Sequence, residues 1–203
     1  TAWDEGYYPG GVEIIAPRTG VTITLKHHPT GDNPDHEWYT SMPNPAKPIG
    51  CGHCMVAFPQ WVTNSHGTSA VNPRFFSLYN GTDVTGTATI TPGYKLDFPG
   101  TSGNCATCHA PGAATNKPFT ADMNELVGVE QEGVFCDYCH KVSGVYLDPV
   151  TNLPYPNMPG VQSIRLNRPP SDTHMFYGPF DDVTRRGSYL ELEKQSQFCA
   201  PGH

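Results

Sequence analysis

The chain has 203 residues, among them 21 glycines, 21 prolines and seven cysteines, and only 37% of its positions are hydrophobic. That length predicts one domain, 1–203, but the composition is thin material for a self-sufficient hydrophobic core and asks for covalent or metal staples. A net charge of −7 argues against a nucleic-acid partner, which needs a basic surface, and no apolar run nears the roughly 18 residues of a membrane span. The opening "TAWDEGYYPGG" has no basic, apolar leader, which reads as a soluble, already processed chain.

In chain order, "VEIIAPRTGVTITL" over 12–25 alternates apolar and polar residues on either side of a Pro-Arg-Thr-Gly turn and predicts a small β hairpin. Residues 26–50 read as loop, rich in Pro and Asn, and complete an N-terminal segment, 1–49, ahead of a cysteine-bearing segment, 50–203. Over 58–79 the pattern predicts helix interrupted near Pro73. Asn80-Gly81 marks a turn before a β-like "TGTATI". A short helix is expected within 120–130, and 141–180 is expected to be largely extended loop because proline recurs throughout it. Ser188, with Glu191 three residues on, predicts a capping box that starts a last helix running into Cys199. No sequence repeat appears beyond the cysteine motifs.

The cysteines fall at 51/54, 105/108, 136/139 and 199. "CATCH" at 105–109 and "CDYCH" at 136–140 are complete C-x-x-C-H strings, the attachment pattern of c-type haem. Two cysteines on one turn of backbone bond the porphyrin vinyl groups, and the adjacent imidazole reaches the iron. A zinc site built from Cys105, Cys108, Cys136 and Cys139 would leave His109 and His140 unexplained. Disulfides suit an oxidising compartment but not three pairs of identical spacing, and the βαβ context of a thioredoxin-like pair is missing.

Two motifs deviate. "CGHCM" at 51–55 places His53 between Cys51 and Cys54 and Met55 where the ligand belongs; its iron would take Met55 sulfur or an outside histidine, or keep an open position. Thioether ligation raises the potential, and axial ligand choice spans about 0.8 V across haem proteins. "CAPGH" at 199–203 has Gly202 in place of the second cysteine, which allows a single thioether at Cys199 with His203 on iron. A chain ending on an iron ligand is expected to continue beyond this point. With His109, His140 and His203 as ligands of their own strings, the candidates for the opposite iron faces are His27, His28, His36, His66 and His174.

The string "CGHCMVAFPQWVTNSHG", with "GNCATCHAPG", "EGVFCDYCHKV", "HMFYGPFDD" and "QFCAPGH", is similar to segments of the multihaem cytochromes that include hydroxylamine oxidoreductase, its tetrahaem electron acceptor and the octahaem tetrathionate reductases. The resemblance covers roughly 50–203. It implies packed haems in extracytoplasmic electron transfer, with His66 and His174 at ligand positions. Gly202 and Met55 depart from the family pattern.

The expected fold is mostly α with much irregular loop, wrapped around three or four c-type haems, with the small N-terminal hairpin. The expected function is electron transfer in the periplasm or outside the cell, with redox proteins docking through small transient surfaces. Two alternatives are a redox enzyme for a small nitrogen or sulfur compound at an open haem, and a subunit of a haem filament, homo-oligomer or larger complex.

Overall fold

The computed structural model describes residues 1–43, 50–88, 92–178 and 186–202. Secondary structure comes in short pieces because Gly, Pro and capping Asn residues stop each one early. Helix and strand occupy 30% and 12% of the chain, so the architecture is mixed and loop-rich and not mostly α.

Strand β1 (Tyr7–Tyr8) pairs antiparallel with β2 (Lys26–His27), Tyr7 opposite His27. These strands close the base of the expected hairpin, but 12–25 itself carries no strand. Its apolar side chains find no core to enter: Ile15 is 90% exposed, and Val12, Ile14 and Val21 are exposed too. Alternation that buries nothing does not fix a ladder.

The expected helix over 58–79 becomes three: α1 (Ala57–Trp61), α2 (Ser65–Thr68) and α3 (Pro73–Asn80). Asn64 Oδ1 accepts from His66 N (2.8 Å) and Gly67 N (3.3 Å), and Asn72 Oδ1 accepts from Arg74 N (2.9 Å) and Phe75 N (3.4 Å). Each asparagine therefore starts a new helix, and Pro73 takes the first helical position, where its missing N–H costs nothing. α4 (Tyr94–Asp97), α5 (Ala106–His109), α6 (Pro111–Ala114) and α7 (Cys136–Cys139) are single turns.

The helix expected within 120–130 is a 3-10 turn, Gly128–Glu132. The stretch expected as loop carries β3 (Val142–Val145) antiparallel to β4 (Ile164–Leu166), and β5 (Met175–Tyr177) runs parallel to β6 (Arg186–Ser188). Ser188 is a buried strand residue whose hydroxyl donates to Tyr7 O at 2.9 Å, so it caps no helix. The residues after it form 3-10 turns at Glu191–Lys194, Ser196–Phe198 and Ala200–Gly202. Of "TGTATI", Ala88 bridges to Thr82, and 89–90 lie outside the described residues.

The core is divided. One cluster gathers Ala70, Tyr79, Ala106, Ala110, Ala114, Met123 and Leu126; a second gathers Trp61, Phe135, Tyr138 and Val142; a third gathers Tyr8, Met175 and Tyr177. Polar clamps tie loop 28–41 to these clusters. Buried Arg168 donates from Nε (2.9 Å) and Nη2 (2.7 Å) to the two oxygens of Asp32. Buried Asp137 accepts from Lys141 Nζ at 2.6 Å and lies 3.0 Å from His36 Nε2. Burial pushes the Asp137 carboxyl up, but the Lys141 ammonium and His36 outweigh it and hold it well below the usual carboxylate range.

Candidate haem-attachment site

Each cysteine motif is one helical turn, which sets its paired thiols three residues apart along one face. In the first complete string, His109 N donates to Cys105 O at 3.0 Å. The His109 ring stacks on Phe75 with centroids 4.1 Å apart, and its Nδ1 meets Ser69 O at 3.3 Å. A carbonyl on Nδ1 makes that nitrogen the N–H and leaves Nε2 as the lone-pair nitrogen, the arrangement a metal-binding imidazole needs. In the second string, His140 N donates to Cys136 O at 3.0 Å, His140 Nδ1 bonds Tyr177 O, and Tyr177 N donates back to His140 O at 2.9 Å.

The two irregular motifs are also turns. Cys54 N donates to Cys51 O at 3.1 Å, and His53 Nδ1 sits 2.7 Å from Gly50 O. Met55 is 90% exposed and faces outward. At the far end Gly202 N donates to Cys199 O at 3.1 Å; His203 lies outside the described residues.

A cavity of about 390 Å³ lies where three of these motifs meet. Cys108 and His109 come to it from α5, Cys136 and Cys139 from α7, and Cys199 and Gly202 from the last turn. His66 and Trp61 complete the wall, with Tyr138 beside them. Two glycines let backbone close in. Gly133 (φ +67°) has no room for a side chain against His66 O and Ser69, and Gly160 (φ +59°) has none against Thr107 and Cys108. Ser69 Oγ lies 3.0 Å from His66 O and 2.8 Å from His109 O, tying the two histidine segments together.

The electrostatics of the thiols differ. Cys136 is lowered to about 7, first by a hydrogen bond with Cys51 and then, against burial, by one with Ser41. Burial pushes Cys139 up to about 12, with Cys136, Cys199 and Glu193 adding to it. Burial also lifts the half-buried Glu193 carboxyl to about 7; its Oε1 stands 3.8 Å from His140 Nδ1. The Tyr138 hydroxyl is buried without a hydrogen-bond partner, a loss of about 1–3 kcal/mol for a polar group.

None of the seven cysteines is in a disulfide. Among the described residues, no group of three His, Cys, Asp or Glu side chains converges as a metal cage. Axial ligation of a porphyrin iron asks only for separate imidazoles, and a cavity of this size with paired thiols and lone-pair imidazole on its wall fits part of such a group.

The remaining candidates lie elsewhere. His27 stacks on Tyr7 with centroids 3.9 Å apart. His28 is buried edge-on to Tyr8 and Tyr177, with Nδ1 2.7 Å from Pro29 O and Nε2 enclosed without a partner. His36 Nε2 is taken by Asp137, and His174 is exposed ahead of β5. Sequence reasoning passed over Ser69, Tyr138, Gly160 and the Thr40-Ser41 pair. Only Tyr138 carried a signal, its place inside a string. No protein-family model, curated protein or solved structure matches the chain.

Proposed function

We propose that this chain is a multihaem c-type cytochrome that passes electrons outside the cytoplasm. The observation that carries the reading is a cavity on whose wall Cys108, Cys136, Cys139 and Cys199, from three of the motifs, meet His66 and His109. Cys105 and Cys108, and Cys136 and Cys139, hold haem by thioether bonds; His109 and His140 bind iron from their own strings. Cys51 and Cys54 hold a third group, and Cys199, with one thiol, would hold a fourth by a single thioether. His66, in the cavity wall, is the first choice for an opposite-face ligand. His36, held by Asp137, serves the scaffold instead.

Bound haem supplies reversible one-electron chemistry. The protein's own work is to fix imidazole tautomers through Ser69 O and Tyr177 O and to exclude water with Trp61, Phe135 and Val142. The haems also take the place of a large side-chain core, which accounts for the divided clusters and long loops. Partners are redox proteins that meet an exposed porphyrin edge.

The test is the intact mass of the denatured protein, purified from an exporting host able to attach haem, with a pyridine haemochrome spectrum alongside. The expected mass is the chain plus three or four haems. An unmodified chain, fully folded, would sink the reading.

A further inference from the structure

The ladder between β1 and β2 stops at Tyr8 and Lys26, below the arm 11–25 that the two strands carry. Pro9 has no N–H to give, and its O accepts from Arg186 Nη2 at 3.3 Å. Gly10 is taken by Ala2, whose O accepts from Gly10 N at 3.0 Å and whose N donates to Gly10 O at 2.8 Å. Residues 11–25 therefore run out as two legs without a strand, and none of their polar groups hydrogen-bonds to another described residue. The second leg, 20–25, reads Gly-Val-Thr-Ile-Thr-Leu, with no charge and no proline and with β-branched residues at Val21, Thr22, Ile23 and Thr24. That is strand composition on an open edge. Val21, Thr22 and Thr24 are exposed, and Ile23 and Leu25 lean over Gly10, where a Cβ would lie 2.9 Å from Leu25 and 3.4 Å from Ile23. The first leg is guarded against pairing by Glu13 and Pro17.

We infer that the arm is a self-association surface, and that its occupant is the same leg of a second copy, paired antiparallel across a two-fold axis through Ile23. In that register Thr22 of one copy lies opposite Thr24 of the other, Val21 lies opposite Leu25, and Ile23 faces Ile23. Such a pair is self-complementary, so every contact off the axis is made twice. Charge selects both the leg and the occupant. The chain carries −7 overall and repels its own copy, but 20–25 brings no charge to the seam. Pairing gives the open N–H and C=O groups of this edge their partners and gathers Val21, Ile23 and Leu25 of both copies on one face. The arm, residues 11–25, falls short of the roughly 20–30 residues a side of a standard stable interface, so the dimer is weak and concentration-dependent. It needs no haem and stands apart from the function proposed above.

The experiment is sedimentation velocity over a concentration series, on the protein as purified from the exporting host, with amide hydrogen exchange alongside. Monomer is expected to give way to dimer as concentration rises, and exchange over 21–25 to slow in step. Two variants set like charges face to face across the seam, Thr22→Lys/Thr24→Lys and Thr22→Glu/Thr24→Glu. Each is expected to raise the dissociation constant about tenfold. Their melting curves at low concentration should match the wild type, because both positions are exposed. An equimolar mixture of the two variants sets lysine opposite glutamate and is expected to restore the dimer. Wild-type protein that stays monomeric throughout overturns the inference. A dimer that the lysine variant leaves intact also overturns it, since the interface then lies on another face. A mixture that fails to pair, or open-ended growth in place of a dimer, overturns the two-fold strand pairing.

Discussion

The two complete strings, Cys105–His109 and Cys136–His140, share a spacing and almost nothing else. The first sits in small apolar residues: Ala106, Ala110 and Ala114 pack behind it and Phe75 covers the His109 ring. The second is built on charge, with Asp137 inside the string, Lys141 after it, His36 from a distant loop and Glu193 beside His140. An identical motif therefore leaves its surroundings open, and in haem proteins it is the surroundings that tune the cofactor. On the proposed function, apolar burial would disfavour the ferric state of a haem at His109, whereas Glu193, charged above about pH 7, would favour it at His140. The His109 group is then expected to have the higher potential of the two above that pH, and spectroelectrochemistry with assigned ligand variants would reverse this account if the order came out opposite.

The largest effect that sharpens the contrast comes from the charged seat. Asp137→Ala leaves Lys141 and His36 buried without their counter-charge and is expected to cost about 3–5 kcal/mol in chemical denaturation. Asp137→Leu with Lys141→Met should recover much of that loss. The sign for acid is set by the lowered Asp137 carboxyl: its contribution is present above the ordinary carboxylate range and disappears only as pH falls through the lower folded value.

Next comes the wall of the first string. Gly160→Ala places a side chain at φ +59° against Thr107 and Cys108, so a loss of roughly 1–3 kcal/mol from backbone strain is expected and, on the proposed function, haem content at 105–109 would fall before that at 136–140. Equal loss at both strings would dissolve the distinction drawn between them.

A pH effect separates them more finely. Glu193, raised to about 7 by burial, holds its proton more tightly when folded, so stability declines as pH rises from the ordinary carboxylate range to about 7. Melting curves of Glu193→Gln should lose that decline, and a decline of unchanged size would assign it to another group. Smallest of all, Ile15→Ser in the exposed arm should change stability by no more than about 0.5 kcal/mol.

The motifs were legible in the sequence because their cysteines recur at one fixed spacing. The sequence also showed an interruption near Pro73, where the structure starts a new helix capped by Asn72. It hid the second break at Asn64, where the same chemistry lay in a polar run, 63–69, without a proline to mark it. Ser188 misled for a related reason: a serine followed by a glutamate three residues on resembles a cap, but the hydroxyl answers to Tyr7 O, and that partner is far away in sequence. The strands at 142–145 and 164–166 were hidden because they are too short to show alternation. At the site, the seven cysteines were visible and their grouping was not, since it depends on Thr40 and Ser41 reaching across the chain.

That reach bears on the order of assembly. The bond from Cys136 N to Ser41 Oγ spans 95 residues, and the one from Ser41 N to Glu132 spans 91. Contacts of such separation form late, after the entropy of a long loop has been spent. Thr40 O holds Cys51 N, so the seat of this early turn is completed only when the region around 132–136 reaches the neighbouring Ser41. A motif near the start of the sequence thus waits for one 85 residues later before its surroundings are fixed.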